Sequence, residues 1–148
     1  MKLRTRARYS MRMMMAIAKL SSDGVHVGLG DVSKQCGVSK GYLEQLVGSL
    51  RNARLLRALS GRGGGYTLAR SADEIKIGDI IEAAIGPIAV TECAVEPETC
   101  INSDFCNCQG LWSLINHKIN QVLDEYSLAD IIDNKWPKRV RDELKKIK

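Results

Sequence analysis

Four cysteines, Cys93, Cys100, Cys106 and Cys108, fall within sixteen residues in the pattern C-x6-C-x5-C-x-C, with no Lys or Arg among them. Clustered thiolates are soft ligands suited to zinc or to an iron-sulfur cluster. Structural zinc sites favour paired knuckles with about two to four intervening residues, and the wider gaps here favour a wrap around something larger than one ion. Thiols that act as a redox switch, or that only pack, are the alternative reading. Glu92, Glu96, Glu98 and Asp104 surround the cysteines and would repel a polyanion from this segment. The fifth cysteine, Cys36, lies on the apolar side of a helical stretch and reads as core. His26 and His117 read as surface histidines rather than ligands.

The rest of the chain must position that segment, and its charge is divided unevenly. Residues 1–70 carry thirteen Lys and Arg against three acids, whereas residues 71–148 carry nine against fourteen. A basic half joined to an acidic half predicts a polyanion-binding module attached to a part with another task. The apolar run over residues 13–20 is short and is interrupted by Lys19. Neither a secretory leader nor a run of roughly 18 apolar residues is evident. The expected location is therefore cytoplasmic with no membrane partner, and there thiols stay reduced rather than forming a disulfide framework.

Periodicity supplies the elements. Tyr9, Met13, Ala16, Ile17 and Leu20 recur at helical spacing before the turn formers Ser21-Ser22-Asp23-Gly24. Arg8, Arg12 and Lys19 lie between them, on a face that either meets phosphate or is simply solvated. Val32 and Cys36 mark a second short helix ending at Gly37, and Ser39 is a plausible N-cap for a third. In that third helix Leu43, Leu46, Val47 and Leu50 form an i, i+3, i+4, i+7 stripe, with Lys40, Tyr42, Glu44, Gln45, Ser49 and Arg51 off it. Two helices about a tight glycine turn make a helix-turn-helix signature. Residues 55–60 and Tyr66-Thr67-Leu68 read as strands flanking Gly61-Arg62-Gly63-Gly64-Gly65, a hairpin with a glycine-rich tip. A nucleotide loop fits poorly, because no Gly-Lys-Ser/Thr ending follows and the run joins two strands. Helix, helix-turn-helix and basic hairpin in this order predict a winged helix that reads double-stranded DNA.

Residues 75–85 read as a helix closed by Gly86-Pro87, and residues 91–108 show no period. Leu111, Leu114, Ile115, Ile119, Val122, Leu123 and Tyr126 then form a long stripe. With few elements left to cover it, the stripe predicts pairing with a second subunit. Residues 127–132 read as a short helix, and the Lys- and Arg-rich end as a frayed, solvated tail.

Several of these segments carry a family likeness. Met1-Lys2-Leu3 with Arg8-Tyr9, Gly41-Tyr42-Leu43-Glu44-Gln45-Leu46, Leu50-Arg51-Asn52, Gly63-Gly64-Gly65-Tyr66, Gly78-Asp79-Ile80-Ile81, three spaced cysteines, Leu111-Trp112 and Ser127-Leu128-Ala129-Asp130 together resemble the IscR-type winged-helix regulators of bacteria. NsrR and CymR belong to the same group. The resemblance implies a homodimer paired through the long helix, each winged helix reading one half of a palindromic operator. It implies that Cys93, Cys100 and Cys106 hold an iron-sulfur cluster of the 2Fe-2S type, whose occupancy changes operator choice. It implies groove contacts from residues 39–45, with Glu44 taking part in the discrimination. Where IscR has a histidine ligand this chain has Gln109, so Cys108 is the candidate fourth ligand. Arg8 stands where NsrR uses an aspartate ligand, which counts against that mode. Ser60 stands where the family carries an arginine before the wing glycines, and Arg62 is placed to supply that charge. CymR lacks the cysteine set.

The expected fold is mainly α with a small β-hairpin: a winged helix-turn-helix domain over residues 1–86, a cluster-binding loop over 87–110, a dimerisation helix and short following helix over 111–134, and a basic tail over 135–148. The expected DNA-contacting residues are Ser39, Lys40, Tyr42, Glu44, Gln45, Arg51, Ser60 and Arg62. The expected function is a non-enzymatic transcription regulator, a repressor in type, controlling iron-sulfur cluster biogenesis. The rivals are a cluster-free or zinc-bound thiol-responsive repressor and a thiol oxidoreductase. The absence of Cys-x-x-Cys and of a nucleotide-binding strand-loop-helix counts against the oxidoreductase.

Overall fold

The computed structural model describes residues 4–21, 25–100, 106–132 and 136–147, apart from the side chain of Arg139. Helix α1 (Thr5–Leu20) turns Met13, Ala16 and Ile17 of the expected stripe inward, together with Ala7, Ser10 and Met14. Of the turn residues expected after it, only Ser21 is among those described. Helix α2 (Leu29–Cys36) buries Leu29 and Val32. It ends on Gly37, whose φ of 68° lies in the left-handed region and whose N–H donates to Ser33 O, a closure that a side chain would oppose. Helix α3 (Lys40–Asn52) starts at Ser39, whose hydroxyl accepts from Tyr42 N–H at 3.4 Å, and it buries Leu43, Leu46, Val47 and Leu50, the expected stripe.

The hairpin consists of β1 (Leu56–Leu59) and β2 (Gly65–Leu68), antiparallel with Leu56 opposite Leu68 and Leu59 opposite Gly65. A third short element was not foreseen: Val27 forms an antiparallel bridge with Tyr66, exchanging both backbone hydrogen bonds at 2.9 Å. The chain comes so close there that a Cβ on Gly65, with φ at 154°, would lie 2.5 Å from Val27 O. Strand β2 is therefore anchored, near the tip end of the ladder, to the segment that precedes the helix-turn-helix.

Helix α4 (Ile77–Ile85) packs on α1 through Ala7, Ile81 and Ala84 and closes at Gly86. The cysteine segment follows, with two single 3-10 turns (Glu92–Ala94 and Pro97–Thr99), in keeping with its lack of period. Helix α5 (Gln109–Glu125) ends one residue before Tyr126, which is its C-cap. Beyond it the chain is stitched back onto residues 72–77. Ile77 N–H donates to Tyr126 O, Leu128 N–H to Ile75 O and Ala129 N–H to Ala72 O. Helix α6 (Leu128–Ile132) buries Leu128 and begins with a reciprocal cap between Ser127 and Asp130.

The expected frayed tail is instead helical, although the described side chains of its helix other than Val140 are exposed. Residues Lys138–Ile147 form helix α7, with Val140 buried, and Tyr126 meets Trp136 edge to face at 5.6 Å. Val140, Leu144 and Ile147 are spaced i, i+4, i+7, a stripe concealed in the sequence by the basic residues around it.

Candidate DNA-reading surface and cysteine segment

The off-stripe face of α3 is where the structure gathers the residues expected to meet DNA. Ser39, Lys40, Glu44, Gln45 and Arg51 are exposed, and Tyr42 is half-buried. Tyr42 meets Tyr9 edge to face at 5.5 Å, and the Arg12 guanidinium lies 5.8 Å from the centre of the Tyr9 ring. Aromatic and cationic stacking of this kind fixes the rings, so α1 braces the start of α3 and carries Arg12 beside it. Lys40 and Glu44 form a loose pair at 4.0 Å with both side chains mostly exposed, a contact that costs little to break. Ser60 and Arg62 are exposed at the wing tip, apart from the α3 group in sequence and carried by a separate element.

Arg6, which no sequence pattern singled out, ties three helices together. Its Nε donates to Ala84 O at 2.7 Å, and its Nη2 donates to Gln45 O at 3.3 Å and to Ser49 Oγ at 3.5 Å. One guanidinium thus links the last turn of α4 to the middle of α3. Its five donors in a rigid fork suit such a junction. An arginine among several near the chain start carries no local signal of this role.

The four clustered cysteines are all free thiols. Cys93, Cys100 and Cys106 are half-buried, and Cys108 is exposed at the N-cap of α5. The Thr91 hydroxyl and the Cys93 thiol share a hydrogen bond at 3.3 Å. The segment is held at both sides: Val90 N–H donates to the buried Asn116 Oδ1 of α5 at 3.0 Å, and Gln109 N–H to Cys106 O at 3.2 Å. Residues 101–105, with Asp104, lie outside the described residues. Among the described residues no three His, Cys, Asp or Glu side chains converge as a metal-binding group. The donor chemistry nevertheless suits an iron-sulfur cluster, with soft thiols outside any disulfide and no competing cation in the segment. The positive end of the α5 dipole, beside Cys108, favours an anionic assembly there. Cys36 is half-buried against the main core, as expected. His117 is exposed and His26 half-buried.

On α5 the expected stripe divides into two faces. Leu111, Leu114 and Val122 are 53%, 55% and 54% exposed, whereas Ile115, Ile119, Leu123 and Tyr126 are half-buried. The exposed face is an apolar surface without a cover in the single chain. Among the described residues no helix is long and apolar enough to cross a membrane.

Comparison with known proteins follows the same lines. The chain is 34% identical over 142 residues to the HTH-type transcriptional regulator IscR of Pectobacterium atrosepticum, covering 96% of this chain and 85% of that one. It is 35% identical over 134 residues to IscR of Yersinia enterocolitica, covering 90% and 80%. Among solved structures, CymR, the global cysteine regulator of B. subtilis, superposes with a TM-score of 0.73 at 32% identity, covering 90% of this chain and 98% of that one. IscR of T. potens superposes with a TM-score of 0.71 at 30% identity, covering 91% and 88%. These relatives are regulators and not enzymes, which sets the oxidoreductase aside. Residues 3–134 match the Rrf2 family, described as iron-dependent transcriptional regulators, and the chain belongs to that family as an IscR-like winged-helix transcription regulator.

Proposed function

We propose that this protein acts as a homodimer on palindromic operators, and that an iron-sulfur cluster held by Cys93, Cys100 and Cys106, with Cys108 as the fourth ligand, controls which operators it binds. The proposed regulon is iron-sulfur cluster biogenesis. The observation that carries this reading is the junction at Arg6. The segment that carries the four thiols begins after Gly86, with Cys93 eight residues beyond the end of α4, and that end of α4 is hydrogen-bonded through Arg6 to the backbone of Gln45 on the reading helix. When bound, the cluster supplies a reversible cross-link whose presence favours one placement of that segment. A ligand shifts a conformational equilibrium by its differential affinity for the two states.

In this reading Gln45 and Glu44 read base edges from the exposed face of α3, while Arg51 and Arg62 hold phosphate. Leu111, Leu114 and Val122, with the half-buried members of the stripe, pair the two α5 helices. Gln45→Ala and Glu44→Ala then alter sequence preference, and Arg51→Ala or Arg62→Ala weakens binding evenly across sequences.

Purification without oxygen tests the ligand set. Protein with visible absorbance and stoichiometric iron and sulfide supports the cluster, and Cys108→Ala set beside Gln109→Ala locates the fourth ligand. Colourless protein holding zinc, or metal content indifferent to all four cysteines, overturns the proposal. The similarity to CymR supports the second reading, a cluster-free thiol-responsive repressor, which predicts operator binding that changes with thiol oxidation and not with iron.

A further inference from the structure

Four arginines converge at the far end of the reading helix. Arg51, Arg54, Arg57 and Arg70 line an open cavity of about 650 Å³ between the end of α3, the outer face of β1 and the residues that follow β2. Arg70 is held by Asp79 at 3.2 Å. Among the described residues no acidic side chain lines the cavity, and Arg51, Arg54 and Arg57 are exposed, so three guanidinium charges face it without a described counter-ion among its walls.

Arg54 has a second peculiarity. Its φ is 56°, the one left-handed non-glycine backbone among the described residues. It closes α3, with Arg54 N–H donating to Arg51 O and Leu55 N–H to Leu50 O. This is a helix-ending position that glycine fills without steric penalty. A bulky cation kept against that backbone preference is an outlier from which a functional role can be inferred.

We propose that this cavity is a second phosphate-binding groove that takes the DNA backbone flanking the half-site read by α3. The proposal rests on the DNA-binding reading and extends it to Arg54 and Arg57. The groove lies at the end of the reading helix and the base of the hairpin, beside Leu56 and Ala69. Thirteen residues of α3, at about 1.5 Å each, set it roughly 20 Å from the Ser39 end. Guanidinium forks match phosphate oxygens, and DNA offers a continuous line of them. Free inorganic phosphate or pyrophosphate shares this chemistry, and the test separates the two sources.

The experiment compares the intact protein with Arg54→Gly, Arg57→Gln and the double variant. Each is measured on an operator selected from random duplexes, in its minimal form and with flanking base pairs added at both ends, across a range of salt. On the longer duplex the slope of log affinity against log salt falls by about one for each arginine removed, and the double variant binds about tenfold more weakly. On the minimal duplex the variants stay within about twofold of the parent. Arg54→Gly melts at or above the parent temperature, because glycine accepts that backbone, so loss of binding is not loss of fold. Equal slopes and affinities on the longer duplex overturn the groove alone. Calorimetric binding of pyrophosphate that the double variant loses, with no effect on either duplex, also overturns it in favour of a free anion. An unmodified protein that binds no duplex overturns the DNA-binding reading as well.

Discussion

Replacing Leu114 with glutamate tests the proposed subunit contact at its most exposed apolar point. Leu114 lies mid-face on α5 with 55% of its surface open, and fully burying a leucine is worth about 1.5–3 kcal/mol. Covering the open half therefore contributes about 1 kcal/mol per protomer. In a two-fold interface every substitution acts twice, so removing the side chain costs the dimer about 2 kcal/mol, or roughly thirtyfold in Kd. A glutamate also brings two carboxylates towards each other in a desolvating surface, which adds to that loss. The monomer should survive, because Leu114 is not part of the buried core. Sedimentation velocity over a wide concentration range, with circular dichroism as the control for folding, reads the effect. The expected result is a dimer for the unmodified protein, a weaker dimer for Leu114→Ala and a folded monomer for Leu114→Glu. A glutamate variant that sediments like the parent at every concentration, or a parent that is monomeric throughout, refutes the α5 pairing.

Arg6→Lys keeps the charge, but a single ammonium cannot hold Ala84 O and Gln45 O in the same geometry. Its operator affinity without cluster should stay within about threefold of the parent while the response to the cluster shrinks, and an unchanged response in anisotropy titrations refutes the junction. Ser10 is fully buried, and its hydroxyl has no hydrogen-bond partner among the described residues. Ser10→Ala should therefore stabilise the fold by about 1 kcal/mol and raise Tm by about 2–4 °C, and a lower Tm counts against the assignment. The Ser127 amide and hydroxyl donate to Asp130 Oδ2, both at 2.8 Å, and hold its carboxyl below the usual carboxylate range. That contribution is fully present above the unfolded value of about 3.9 and is lost as pH falls from there through the lowered folded value. Asp130→Asn should accordingly lower stability at neutral pH and flatten the acid limb below about pH 4, whereas parallel denaturation curves for the two proteins contradict it.

The parts of the fold legible in the sequence are those in which one local signal decides the structure. The α3 stripe, the Gly37 turn, the Ser39 cap and the hairpin about the glycine run are all of this kind. What escaped depends on partners far away in the chain. The Val27–Tyr66 bridge spans the whole helix-turn-helix, and Arg6 reaches residues 39 to 78 positions away. Helix α7 was hidden because charge dominates its composition, although three apolar residues share one side. Arg54 could not be foreseen as left-handed, since arginine is an ordinary helix residue and only the closure of α3 demands that backbone. For the cysteines, type and spacing could be read directly, but spacing alone does not say which thiols share a metal.

The most direct test of the central claim is one anoxic titration, in which fluorescence anisotropy follows a labelled operator as the same preparation is added with its cluster intact and again after chelation of the iron. Operator affinities should differ by about 5- to 150-fold between the two states. This difference should disappear when Cys93, Cys100 and Cys106 are replaced together. Identical affinities before and after iron removal, in protein shown to have carried iron and sulfide, contradict the claim.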